Sequence, residues 1–127
     1  MAKKVLMIDD DPEFVDAITN ILDAKGYDVV SAGDGKDGVA KAKQEKPDII
    51  LLDLVMPDMP GEDVAAALKK HAATVNIPIL FITALATNDD IGDSKENKIG
   101  NNYILPKPVR TKKLIETILN ILRKPLP

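Results

Sequence analysis

Four short apolar runs punctuate the chain, at residues 5–8 (VLMI), 49–52 (IILL), 77–82 (IPILFI) and 103–105 (YIL). Unbroken apolar runs of this length predict strands covered on both faces, as in a parallel sheet. A fifth run, residues 27–32 (YDVVSA), is more polar and predicts an edge strand. Between the runs the apolar spacing changes to that of helices. Asp11 is placed to cap a helix with Pro12 at its first position, Phe14, Ile18, Ile21 and Leu22 form a stripe, and Gly26 supplies a stop. Helices are predicted over 38–46, which stops before Pro47, over 62–71, with Val64, Ala65 and Leu68 inward, and over 111–123. The last carries Leu114, Ile118, Ile121 and Leu122 on one face, and Ile115 and Leu119 widen its stripe.

Strand and helix therefore alternate from end to end, the order of an open α/β sheet with helices on both faces. The polar run near Val29 and the run that meets Pro106 are expected at the edges, with the three fully apolar strands in the centre. Right-handed crossovers then give a doubly wound five-stranded parallel sheet of order 2-1-3-4-5, the flavodoxin-like topology. One connection breaks the pattern. Between Thr87 and Asn102 a fourth helix is expected, yet only Ile91 and Ile99 are bulky and apolar and Gly92 interrupts the middle. The Asn and Asp residues there favour caps and turns over helix interiors, so that helix is expected to be short, frayed or mobile.

The length, 127 residues, matches a single domain spanning 1–127, without repeat or linker and without an effector domain in this chain. Hydrophobic residues at 45% and charged residues at 29% fit a globular protein and not a disordered one. A net charge of −3 argues against a direct nucleic-acid binder. The absence of cysteine removes disulfide frameworks and thiolate metal sites. No apolar run suits a signal peptide or a membrane span, so a cytoplasmic protein is expected. The sole histidine, His71, reads as a solvated surface residue, and the Asp89-Asp90 pair as a solvated turn.

The chemistry gathers after the strands. The first strand ends in Asp9-Asp10-Asp11, the third in Asp53, the fourth in Thr83 and the fifth in Lys107. Open α/β sheets bind ligands beyond the carboxyl ends of their strands, where strand order reverses. That crevice falls between the first and third strands, so Asp9, Asp10 and Asp53 converge on it, with Thr83 and Lys107 alongside. Three carboxylates so placed repel and raise one another's pKa, and a divalent cation reverses the penalty. An all-oxygen ligand set points to Mg²⁺, with Mn²⁺ as a substitute. A carboxylate nucleophile, a hard cation, a lysine and a hydroxyl donor are parts for in-line phosphoryl transfer.

Asp9-Asp10, the run Asp53-Leu54-Val55-Met56-Pro57-Asp58-Met59-Pro60-Gly61, then Thr83-Ala84 and Lys107-Pro108 closely resemble the receiver domain of two-component response regulators, of the single-domain chemotaxis type. The resemblance spans essentially the whole chain. It implies that Asp53 accepts a phosphoryl group from a histidine kinase or a histidine phosphotransfer protein. It implies that Asp10, Asp53 and the Val55 backbone carbonyl hold Mg²⁺, with Asp9 assisting. Lys107 would pair with the phosphoryl group, its bond to Pro108 cis, while the Thr83 hydroxyl and Ala84 amide donate to phosphoryl oxygens. The output face of the family, made by the fourth helix, fifth strand and fifth helix, would then bind a downstream effector. A monomer or a weak phosphorylation-linked dimer is implied, as is a switch whose only catalysis is its own phosphorylation and dephosphorylation.

The chain departs from the family pattern three positions before the lysine, where Ile104 replaces the usual Tyr or Phe and Tyr103 sits one residue earlier. Strand alternation sends Tyr103 to the opposite face. Apolar Val55 and Leu85 flank the expected path of attacking water, which implies slow loss of a phosphoryl group. Three other readings compete. A receiver-like module signalling without phosphate is disfavoured by Asp10, Asp53, Thr83 and Lys107. A Mg²⁺-dependent phosphatase would want a second acid two positions after the nucleophile, where Val55 stands. A flavin carrier would want Gly- and hydroxyl-rich loops where this chain has aspartates.

Overall fold

The computed structural model describes residues 2–84, 98–99 and 102–123. The elements run β1 (Lys4–Ile8), α1 (Pro12–Ala24), β2 (Asp28–Ala32), α2 (Gly35–Glu45), β3 (Ile49–Leu52), α3 (Gly61–Lys69), β4 (Ile79–Thr83), β5 (Lys98–Ile99), β6 (Asn102–Pro106) and α4 (Thr111–Arg123). The sheet order is β2-β1-β3-β4-β6-β5. Five strands are parallel in the expected order, and β5 adds a two-residue antiparallel partner to β6. Thus β6, expected as a bare edge, is the edge of the parallel set only. The helix expected within 87–102 falls largely outside the described residues. Of that stretch, Lys98, Ile99 and Asn102 are strand.

Local chemistry sets the helix ends. The Asp11 carboxylate accepts from the Glu13 and Phe14 amides at 3.1 and 3.4 Å, and Pro12 opens α1 as expected. The chain leaves α1 through Gly26 at φ +89°, a backbone region glycine enters without penalty. Helix α2 begins three residues before the position expected from Gly38, because Asp34 caps it by accepting from the Asp37 amide at 2.8 Å. After α3, the Thr74 hydroxyl donates to the Leu68 carbonyl at 2.6 Å, and His71 is exposed in the turn between them. Helix α4 occupies the expected span.

The sheet separates two apolar clusters. Leu6, Ile8, Ile50, Leu52, Phe81 and Ile104 pack with Val64 and Leu68 of α3 and Ala42 of α2. Val5, Met7, Leu51, Leu80, Ile82 and Tyr103 pack with Ile18 and Leu22 of α1 and Leu114 and Ile118 of α4. Alternation along β6 therefore puts Tyr103 and Ile104 on opposite faces, as expected. Each fully buried Leu or Ile stabilises the fold by about 1.5–3 kcal/mol relative to exposure, so both layers hold the strand ends in place. Among the described residues, no helix is long and apolar enough to cross a membrane.

Candidate functional site

The site is built as an extension of the sheet ladder. The Asp9 amide donates to Ala32 O at 3.1 Å, the Asp53 amide to Ile8 O at 3.1 Å, and the Lys107 amide to Thr83 O at 3.0 Å. Each functional residue one step past its strand is thereby tied to the neighbouring strand before its side chain is considered. The carboxylates of Asp9, Asp10 and Asp53 offer oxygens that all lie within 4.8 Å of one another. Asp9 and Asp53 are buried and Asp10 is exposed, so the cluster opens to solvent on one side.

Lys107 closes the other side. Its ammonium reaches Asp9 Oδ2 at 2.8 Å and Asp53 Oδ2 at 3.2 Å. The bond from Lys107 to Pro108 is cis, as expected. Burial alone would lower the Lys107 pKa, but the hydrogen bond and charge of Asp9, followed by those of Asp53, carry it above its ordinary value. Burial pushes the Asp9 carboxyl upward, and Lys107 and the Asp11 amide only partly restore it. The repulsion from Asp53 anticipated from the sequence acts in the expected direction, but it is the smallest of these effects on Asp9, well behind burial.

Thr83 is fully buried and lies in register with Pro106, immediately before Lys107. Ala84 follows at an exposed turn. Val55 is 55% exposed, and its amide donates to Asp53 Oδ1 at 3.3 Å, fixing the carboxylate from the loop side. Leu85 and the Asp89-Asp90 pair, read in the sequence, lie outside the described residues.

The loop from Asp53 to Gly61 is closed on itself, with the Gly61 amide donating to Leu54 O at 2.9 Å. A Cβ on Gly61 would lie 2.3 Å from Asp53 O, so only glycine allows this closure. Outside it, Asp58 accepts from the Gly35 and Lys36 amides at 2.9 and 3.0 Å, pinning the loop to the start of α2. Those amides hold the Asp58 carboxyl below its usual range.

Two contributors were missed by sequence reasoning. Asp58 was part of a motif with no role assigned to it. Phe14 looked like one more member of the apolar stripe of α1, yet its ring lies 4.3 Å from the Lys107 ammonium. The available signal was position, since the third residue after an N-cap beside Asp9 must lie near the strand ends. The arrangement as a whole suits a hard divalent cation beside a carboxylate nucleophile, with a lysine to meet added anionic charge.

A family model described as the response regulator receiver domain matches residues 5–119. Protein PilH of Pseudomonas aeruginosa is 38% identical over 120 residues, covering 94% of this chain and 97% of PilH. The chain spans about half the length of several other curated relatives it matches. Among solved structures, chemotaxis protein CheY4 of Vibrio cholerae superposes with a TM-score of 0.81 at 28% identity, covering 95% of this chain and 99% of CheY4. The receiver domain of sensor histidine kinase PA1611 from P. aeruginosa shares the fold, with a TM-score of 0.82 at 22% identity over 98% of this chain and 100% of that one. That structure has a magnesium ion coordinated in its active-site cleft. Sequence, fold and the acidic cluster thus agree, and this chain belongs to the response regulator receiver domain family, the phosphoacceptor signalling switches of two-component systems.

Proposed function

We propose that Asp53 is the phosphoacceptor. Supporting this reading is the placement of its carboxylate at the end of β3, within reach of Asp9 and Asp10 and 3.2 Å from the Lys107 ammonium. A carboxylate oxygen of Asp53 attacks phosphorus, the bond from phosphorus to a phosphohistidine nitrogen or an acyl-phosphate oxygen breaks, and its electrons leave with the donor. Asp53 attacks as the anion, so it has no proton to lose. Asp10, Asp53 and the Val55 carbonyl, with Asp9 assisting, would hold Mg²⁺, which would neutralise charge on the transferring group.

Lys107 then moves its pairing from carboxylate to phosphoryl oxygen, and the Thr83 hydroxyl and Ala84 amide donate to the others. Moving a population from 1:99 to 99:1 needs about 5.5 kcal/mol. Hydrogen bonds to a charged group give about 1.5–3 kcal/mol each, so two or three new contacts can supply the shift and one cannot. The chain acts as a cytoplasmic switch without substrate turnover, loaded by a histidine kinase or phosphotransfer protein and read by an effector protein.

The test is intact mass after incubation with a small acyl-phosphate donor and Mg²⁺. A single phosphoryl adduct is expected on the wild type, lost with chelator and in Asp53→Asn. A folded wild type that gains no adduct from acyl phosphate or from kinase donors would replace this reading with the phosphate-independent module.

A further inference from the structure

We propose that Phe14 is a positioning residue that keeps the Lys107 ammonium at the pocket when a divalent cation takes its carboxylate partners; this rests on the reading of Asp53 as phosphoacceptor. Among the described residues, the Lys107 ammonium meets Asp9 Oδ2 at 2.8 Å, Asp53 Oδ2 at 3.2 Å and the Phe14 ring at 4.3 Å to its centre. Both carboxylates belong to the cluster suited to a cation. A bound cation therefore competes with Lys107 for both of them at once. The ring is the partner no cation claims. Its π face attracts an ammonium through the ring quadrupole without adding formal charge to a cluster that must also bind metal and phosphate.

The ring is itself well fixed. Phe14 follows the Asp11 cap, whose carboxylate accepts from the Phe14 amide at 3.4 Å. The Asp11 amide donates in turn to Asp9 Oδ1 at 3.0 Å, so the carboxylate that holds Lys107 also holds the entrance to α1. Phe14 packs against the apolar cluster beneath α1, next to Asp9 and Asp53. An aliphatic residue would fill that space but offer the ammonium no face. A further carboxylate would itself compete for the cation and repel the incoming phosphoryl group.

The experiment follows phosphorylation of the full chain by acetyl phosphate at saturating Mg²⁺ for wild type, Phe14→Leu and Phe14→Tyr. It also records by NMR the ring-current shift of the Lys107 ε protons before and after Mg²⁺. Phe14→Leu is expected to slow phosphorylation by about three- to tenfold, with Phe14→Tyr within about twofold of wild type. The upfield shift of the ε protons is expected to survive Mg²⁺ addition in wild type and Phe14→Tyr and to vanish in Phe14→Leu. Equal rates in all three proteins, or equal slowing in both variants, would overturn the proposal. If Phe14→Leu does not fold, the wild-type spectrum decides, since loss of the upfield shift on adding Mg²⁺ also overturns it. A folded wild type that takes no phosphoryl group from acetyl phosphate or from kinase donors refutes Asp53 as acceptor, and the Mg²⁺ titration still decides independently whether Phe14 holds the ammonium.

Discussion

Replacing Gly61 by alanine perturbs the site through the backbone alone. The added Cβ would stand 2.3 Å from Asp53 O, 2.7 Å from the Leu54 Cα and 3.0 Å from the Asp53 carbonyl carbon. None of these atoms is the end of a flexible side chain, so the loop itself must retreat. Ordinary contact begins at 3.4 Å, which demands a movement of about 1 Å at Asp53, the proposed acceptor. Overpacking of this kind costs about 1–3 kcal/mol, a shift of about 1 M in the urea midpoint of a domain this size. Displacing a reacting group by about 1 Å can cost a hundredfold in rate, so the phosphorylation rate should fall more steeply than stability does. Urea unfolding and the time course of the phosphoryl adduct on intact mass measure both quantities. Gly33→Ala is the control, because a Cβ there meets nothing within 4 Å. A Gly61→Ala protein with the wild-type midpoint and the wild-type rate would show that the loop has slack and that its closure does not position Asp53.

Two further predictions concern charge. Burial raises the Asp9 pKa, so the folded state disfavours its anion. This contribution to stability is fully present below the ordinary value of 3.8 and is lost as pH rises through the folded-state value. Asp9→Asn should therefore melt higher than wild type at pH 7 in chelator while binding Mg²⁺ less tightly by calorimetry; a lower melting temperature would mean that the contact with Lys107 outweighs burial. Asp58 is the opposite case, held low by the Gly35 and Lys36 amides, so its contribution is present above 3.8 and lost as pH falls through the lowered folded-state value. Asp58→Ala should melt below wild type at neutral pH, with the deficit closing in strong acid; a deficit that is independent of pH would refute the assignment to the carboxylate.

Much of this was legible because the apolar runs are unambiguous. Strands buried on both faces read as continuous apolar runs; β1 and β3 are apolar over their buried positions, and β4 is apolar up to Thr83, the polar residue that ends it inside the site. Asp9, Asp53, Thr83 and Lys107 were locatable for the same reason, since topology alone brings strand ends together. What escaped depends on distances between segments remote in sequence. Lys107 lies nearer to Asp9 than to Asp53, a preference no spacing along the chain encodes. The start of α2 was misplaced because Gly35, Lys36 and Asp37 carry no apolar signal, and the Asp34 cap stood unnoticed ahead of them. The two-residue β5 is too short to leave a periodic pattern. Phe14 shows the general difficulty. An aromatic residue at helical spacing has the same pattern whether its ring meets other carbons or an ammonium.

The division of the core by the sheet has an optical consequence. The chain has no tryptophan and two tyrosines. Tyr103 and Tyr27 both belong to the cluster beneath α1 and α4, and neither belongs to the layer of α2 and α3. Native emission above the phenylalanine band therefore comes from one side of the sheet. Changes confined to Ile104, Phe81 or the inner face of α3 would be silent in a fluorescence titration, while small movements of α1 or α4 would be bright. A flat signal on adding phosphate donor would thus speak for one half of the molecule only, and a tryptophan at position 104 would give the other half its reporter.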